Sequence, residues 1–231
     1  MISNFITNVE WLKITDYAGL IARCNFSVEN YSNELFFNSN IHFPSHITSA
    51  VIKRRAEYLA GRYLADQILK RLGFSNFTLL RGNDNAPLWP FGVLGSITHS
   101  NYTALCAASH SSSIRGIGID VEEQISNKYA IKLYDSIINE MEYILLRKLP
   151  QTFEHSLTLV FSAKESLFKA LYPKVHQYFG FLDVQIIELD IYKQLFKLKL
   201  LKNLTPTIHA GHCFIGRYLV RKNEITTLVY Y

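Results

Sequence analysis

The sequence predicts a mixed α/β protein in two halves, and three observations carry that expectation. Two long stretches, Ser49–Leu72 and Leu157–Leu171, repeat their apolar residues at helical spacing. Most of the remainder breaks into short runs of strand-forming residues separated by turn residues. The composition changes at about residue 115, just after the polar turn Ser109–Ser113, which divides the 231 residues into 1–115 and 116–231. This break is not a flexible linker, so the halves are expected to pack together. A hydrophobic content of 48% with 19% charged residues excludes a largely disordered chain.

Other bulk properties narrow the function classes. No apolar run is long enough to span a bilayer. The opening stretch, Met1–Asp16, has neither a basic segment nor a long apolar core, so no secretory signal is expected. Cys24, Cys106 and Cys213 are odd in number and far apart, with no C-x-x-C. A disulfide framework or zinc cluster is not expected, and a reducing cytoplasm is the simplest setting. The formal charge of +5 points to an anionic partner, for which nucleic acid, a phosphate-bearing cofactor and an acidic protein are all eligible. The first of these lacks support, because aromatic residues for base stacking are not interleaved with the basic ones.

In the first half, Leu20–Phe26 reads as a strand and Pro44 as a break. The helix Ser49–Leu72 has Ser49 as a possible cap and Gly73 as its stop. Arg54 and Arg62 lie eight residues apart on it, offset by roughly 80° at 3.6 residues per turn. Their forks suit phosphate, and a solvated basic face is the alternative. Phe77–Leu80 reads as a short strand entering a turn rich in Gly, Asn, Asp and Pro, with Arg81 at its start. Gly95–Ser100 is a strand that ends in Thr98-His99-Ser100, a cluster able to donate hydrogen bonds to an anion. Tyr102–Ala108 is the next strand.

The second half opens on Gly116–Glu122. Ile117, Ile119 and Val121 alternate with Gly118, Asp120 and Glu122, so the two carboxylates share one face of a strand. Alone, the pair reads as a solvated strand end or as oxygen ligands for Mg²⁺. Asn127–Leu149 is expected to be helical with interruptions. On the helix Leu157–Leu171, Glu165 and Lys169 stand at i, i+4, which fits an ordinary surface ion pair or a third carboxylate with an accompanying lysine. Pro173 is expected to end that helix. Strands follow at Phe179–Leu189, Phe196–Leu201, Ile208–Leu219 and Ile225–Tyr231. A strand through His209 and His212 would put their rings on opposite faces, which argues against a metal there.

Gly116-Ile-Gly-Ile-Asp120-Val-Glu122, followed after 38 residues by Phe161-Ser-Ala-Lys164-Glu165-Ser-Leu-Phe-Lys169-Ala, resembles the paired signature of the 4′-phosphopantetheinyl transferases. Upstream, the stretch from Arg54 to Arg62, the turn after Arg81 and Gly95-Ser-Ile-Thr98-His99-Ser look like the enterobactin-synthase component D branch of that family. The resemblance spans roughly residues 50 to 185. It implies a cytoplasmic monomer of two similar α/β halves related by a pseudo-twofold. Each half would pack a small sheet against a long helix, with coenzyme A in the cleft between them.

The resemblance further implies transfer of the 4′-phosphopantetheine arm of coenzyme A to a serine hydroxyl of an apo acyl or peptidyl carrier protein. Adenosine 3′,5′-bisphosphate would be released. Asp120, Glu122 and Glu165 would hold Mg²⁺, with Mn²⁺ as a possible substitute. Glu165 and Lys169 would be catalytic. Arg54, Arg62, Arg81, Thr98, His99, Asp120, Lys164 and Lys169 would contact coenzyme A, with Lys164 on the pantetheine or pyrophosphate side. Many relatives outside the branch carry a lysine before the proline of the Arg81 turn. Here Ala86 precedes Pro87, with Asp84-Asn85 just upstream, which puts a phosphate or adenine contact there in doubt. A non-catalytic module that binds coenzyme A or a carrier protein is the alternative function.

Overall fold

The computed structural model describes residues 2–82 and 86–231, so the Asp84-Asn85 departure lies outside the described residues. The chain forms two compact units, Met1–Arg115 and Gly116–Tyr231.

The first unit runs α1 (Ile2–Phe5), β1 (Ile6–Leu12), β2 (Leu20–Phe26), α2 (Glu34–Asn38), α3 (Ser45–Thr48), α4 (Ile52–Arg71), β3 (Leu94–His99) and β4 (Thr103–Ser109). Its sheet is antiparallel in the order β1-β2-β4-β3. The helix α4 lies on this sheet because its buried face is built from small and aliphatic residues. Ala56, Leu59, Ala60, Leu64, Ala65 and Ile68 pack in one cluster with Ala22 and Cys24 of β2 and Ala104 and Cys106 of β4. Ser49 does not cap α4. It is the C-cap of α3, and Val51, with no side-chain cap bond, precedes α4. Gly73 does end α4 at φ +93°, where the Phe74 N–H reaches the Leu69 carbonyl at 2.8 Å. The expected strand at 77–80 is absent. Instead Arg81 and Pro87 pair as a lone bridge, and the Leu88 N–H donates to the Leu80 carbonyl at 3.0 Å.

The second unit runs β5 (Ile117–Glu123), α5 (Asn127–Ile137), α6 (Glu140–Leu146), α7 (Phe153–Val175), a 3-10 turn at Phe181–Asp183, β6 (Val184–Asp190), β7 (Leu195–Leu200), β8 (Cys213–Arg221) and β9 (Glu224–Tyr230). Its antiparallel sheet has the order β5-β9-β8-β7-β6. Leu157, Val160, Ala163, Leu167 and Leu171 of α7 enter a core with Ile225 and Val229 of β9 and Phe196 and Leu198 of β7.

One expectation for this unit is met, an interrupted helix over 127–149, and two are corrected. The interrupted helix separates into α5 and α6 because Asn139 starts α6 with a capping box on Glu142. Pro173 lies inside α7, which continues to Val175 and stops at the left-handed His176 (φ 47°). A proline in the last turn removes one N–H without clashing away the turns that hold the core. Residues 205–212 form a turn before β8, with Gly211 at φ +93°, so His209 and His212 are not on opposite faces of a strand. Their ring centroids lie 4.4 Å apart. The Nδ1 of His212 accepts the His209 N–H at 3.2 Å, which puts the His212 ring proton on Nε2 when the ring is neutral.

Among the described residues, no helix is long and apolar enough to cross a membrane. The three cysteines are free; Cys24 and Cys106 are buried and Cys213 is exposed.

Candidate active site

In the first unit a cavity of about 180 Å³ is lined by Arg54, Glu57, Arg62 and Arg81, with Tyr58 and His99 completing its polar wall. Arg54, Glu57, Tyr58 and Arg62 come from α4, Arg81 from the turn after it, and His99 from the end of β3. The offset between Arg54 and Arg62 is therefore bridged by the reach of their side chains, and both meet one cavity. Thr98 is buried and is not among the residues that line it. Adjacent strand residues face opposite sides, which is why His99 reaches this wall and Thr98 does not.

The electrostatics of this cavity suit an anion. The Arg54 guanidinium lies 2.7 Å from His99 Nε2. Arginine can only donate, so Nε2 accepts and the neutral imidazole carries its proton on Nδ1. Nδ1 is 3.6 Å from the Glu57 carboxylate, which is also 3.5 Å from Arg54. Arg62 is 7% exposed, and its Nε and Nη1 have no hydrogen-bond partner among the described residues. Its guanidinium carbon sits 4.9 Å from the centre of the Tyr58 ring, a cation–π contact that offsets only part of the burial. The charges of Arg81, Arg62, His42 and Arg54 add to desolvation in holding the His46 pKa below its ordinary value.

In the second unit, β5 and α7 make an acidic seam. Asp120 is 3% exposed. Its Oδ1 accepts from the Lys169 ammonium at 2.6 Å, and its Oδ2 accepts from the Ser162 hydroxyl at 2.8 Å. Lys169 therefore pairs across to Asp120 rather than back along α7 to Glu165. Burial pushes the Glu122 pKa up to about 7, with the Asp120 charge next and Glu165 adding to it, while Lys169 works the other way. Burial also raises the Glu165 pKa, against Lys169 and with Asp120.

Asp120, Glu122 and Glu165 thus act on one another, and the single positive charge of Lys169 is shared among them. Among the described residues, no three His, Cys, Asp or Glu side chains converge closely enough to share a metal ion as they stand. The donor set is nonetheless all carboxylate oxygen, and it resists full ionisation unless more positive charge arrives. That combination fits a hard divalent cation.

Lys164, the remaining lysine of the motif, is engaged inside its own unit. Its ammonium is 1% exposed and donates to the Ile137 carbonyl at 2.8 Å, the Phe181 carbonyl at 2.9 Å and Glu142 at 3.0 Å. Glu142 is fully buried and also accepts the N–H groups of Asn139 at 2.8 Å and Ile186 at 2.7 Å. Three acceptors saturate the ammonium, so Lys164 ties α7 to α5, α6 and the 3-10 turn. Lys164 also borders a second cavity of about 200 Å³, lined by Glu165, Phe168, Tyr178, Phe179 and Phe181. Sequence reasoning missed this ring-lined cavity, the Glu57 carboxylate among the arginines, and the hydroxyls behind Asp120. Glu57 at i+3 from Arg54 was the signal available for the second of these.

One unit thus carries an arginine-rich pocket and the other a carboxylate–lysine seam. Comparison with known proteins gives the family. A model of the 4′-phosphopantetheinyl transferase N-terminal domain matches residues 43–109, and a model of the 4′-phosphopantetheinyl transferase superfamily matches residues 116–214. The chain belongs to the 4′-phosphopantetheinyl transferase superfamily.

It is 42% identical over 135 residues to enterobactin synthase component D of Escherichia coli (strain K12), a match that covers 58% of this chain and 62% of that protein. It is 32% identical over 140 residues to the 4′-phosphopantetheinyl transferase Npt of Nocardia iowensis, covering 61% of this chain and 62% of the relative. Against the 4′-phosphopantetheinyl transferase Svp of Streptomyces mobaraensis the identity is 36% over 129 residues, covering 56% and 52%. The matched segment spans less than two thirds of each of these relatives.

Proposed function

We propose that this protein transfers the 4′-phosphopantetheine arm of coenzyme A to a serine hydroxyl of an apo carrier protein. The observation that carries this reading is the β5–α7 seam, where Asp120, Glu122 and Glu165 share the charge of Lys169. A binding module has no use for three carboxylates that oppose one another's ionisation. The similarity to enterobactin synthase component D favours a carrier from siderophore or non-ribosomal peptide synthesis.

In this reading Arg54, Arg62, Arg81 and His99 take the nucleotide phosphates. The Arg62 Nε and Nη1, without a partner among the described residues, are donors suited to an anion. The ring-lined cavity beside Glu165 takes the pantetheine arm. Asp120, Glu122 and Glu165 hold Mg²⁺ or Mn²⁺, which when bound supplies Lewis-acid polarisation of the pyrophosphate oxygens. Lys169 neutralises charge at the attacked phosphorus. The serine oxygen forms the new bond to that phosphorus, the bond to the leaving phosphate breaks, and Glu165 accepts the serine proton. Its raised pKa brings it nearer the range of an effective base. Adenosine 3′,5′-bisphosphate leaves with the electron pair. The protein acts as a monomer in the cytoplasm.

The test follows nucleotide product. With Mg²⁺, coenzyme A and an apo carrier, adenosine 3′,5′-bisphosphate is expected in step with coenzyme A consumed. Binding of coenzyme A with no product from any carrier tested would instead make the protein a non-catalytic binder. Glu165→Gln is expected to abolish product release and to weaken the Mg²⁺-induced thermal shift, because a neutral amide replaces a carboxylate ligand, and Asp120→Ala to lose both.

Arg62→Met separates stability from function. Removing a buried guanidinium with unpaired N–H groups relieves a cost of about 1–3 kcal/mol per group. The melting temperature is expected to stay level or rise, while KM for coenzyme A climbs about tenfold or more. A lower melting temperature with unchanged KM would assign Arg62 to the scaffold.

The pH dependence has a definite sign. The folded-state pKa of Glu122 stands near 7 against an ordinary 4.5. Its contribution to stability is therefore full below the ordinary value and is lost as pH rises through the folded value. A divalent cation binds the ionised carboxylates, so the Mg²⁺-induced rise in melting temperature should be larger at about pH 8 than at about pH 5.5. Equal shifts at both would contradict the carboxylate ligand set.

A further inference from the structure

Behind Asp120 lies a set of three hydroxyls that the proposed chemistry does not use. Ser162 and Ser166 come from successive turns of α7, and Thr227 stands directly opposite Asp120 in the β5–β9 register. Paired residues of antiparallel strands point to the same face, so Thr227 and Asp120 both face α7. All three hydroxyl residues are fully buried. Buried hydroxyls are costly unless bonded, so the use of each proton can be traced.

An ionised Asp120 can only accept, so Ser162 commits its proton to Oδ2 at 2.8 Å. Ser162 Oγ is then left as an acceptor, and Thr227 Oγ1 lies 2.9 Å away. Thr227 also stands 2.8 Å from the Ser162 carbonyl, so one proton serves both acceptors. Ser166 donates to the Ser162 carbonyl at 2.9 Å and lies against the Thr227 hydroxyl. The Ser162 bond ends on Asp120, with Thr227 against the Ser162 hydroxyl behind it, while the Ser162 carbonyl gathers the bonds from Ser166 and Thr227. They fasten Oδ2 into the α7 interface and leave Oδ1 turned to the Lys169 ammonium.

We propose that Thr227 and Ser162 are positioning residues that aim Asp120. Thr227 lies on β9, beyond the residues 116–214 that match the superfamily model. The inference rests on the reading of Asp120 as a cation ligand. Groups that orient a ligand carboxylate are worth 10–100-fold in metal affinity when removed.

The test is a Mg²⁺ titration of the full chain followed by thermal shift without coenzyme A. Thr227→Val keeps the side-chain volume and removes the hydroxyl; Ser162→Ala removes the donor itself. Both are expected to move the Mg²⁺ midpoint up about tenfold, and Thr227→Ser to restore it. A pure packing role lowers the melting temperature of Thr227→Val or Ser162→Ala and leaves the midpoint in place, and that result overturns the proposal. Should the wild type show no Mg²⁺ response, the cation reading fails on its own. Positioning is then decided by a double-mutant cycle of Ser162→Ala and Asp120→Asn in melting temperature without Mg²⁺. Losses clearly short of additive support it, and additive losses overturn it.

Discussion

Gly118→Ala is expected to lose about 3 kcal/mol of stability or more, a fall in melting temperature of roughly 10 °C. A methyl group on Gly118 would stand 1.8 Å from the Ser166 carbonyl oxygen and 2.6 Å from the Ala170 nitrogen. Both are backbone atoms of α7, so no rotamer change relieves the clash, and the helix must move off β5. That movement carries Glu165 and Lys169 with it. The mutant is therefore expected to lose the Mg²⁺-induced thermal shift as well as stability, since Asp120 and Lys169 meet at 2.6 Å only because the helix lies this close. A melting temperature within about 2 °C of wild type would contradict the packing account.

Lys164→Met is expected to cost about 3–5 kcal/mol, because it leaves the fully buried Glu142 without its cation. Burial holds the Lys164 pKa below its ordinary value, and the Glu142 carboxylate opposes that shift. Much of the loss should return in Lys164→Met/Glu142→Gln. Glutamine removes the stranded charge, and its oxygen still accepts one of the two N–H groups from Asn139 and Ile186. Thermal unfolding of the two variants checks this. If Lys164 instead contacted coenzyme A, the single variant would keep its melting temperature and raise KM.

These two residues also mark what could be read from the sequence. Gly118, Asp120 and Glu122 were legible because the strand period is local, and the helix carrying Glu165 and Lys169 was legible from its apolar repeat. Lys164 sits beside Glu165 in the same motif and was read as a substrate contact. Its partners within the protein are 17 to 27 residues away, at Ile137, Glu142 and Phe181. Helical spacing suggested a Glu165–Lys169 pair, but the Asp120 carboxylate across the seam is more buried and takes the lysine. Thr227 is invisible to local reasoning, since only the register of β9 against β5 puts it opposite Asp120. His209 and His212 were misplaced because the strand was expected to start at Ile208, whereas Gly211 at φ +93° turns the chain and β8 starts at Cys213.

In the first unit the arginines were legible as a set, although the two turns between Arg54 and Arg62 left their convergence open. Glu57 was overlooked as one acidic residue in a basic helix. Its place between Arg54 and His99 depends on how β3 lies against α4.

The central claim is transfer of the arm, and the mass of the carrier reads it directly. A panel of apo carrier proteins is incubated with the full chain, coenzyme A and Mg²⁺, and each carrier is weighed intact. At least one carrier, from a siderophore or non-ribosomal peptide system, is expected to gain the mass of one phosphopantetheine. That gain should disappear when its acceptor serine is changed to alanine or when Asp120→Ala replaces the wild-type protein. An unchanged mass across the whole panel, from protein that binds coenzyme A and responds to Mg²⁺, would contradict it.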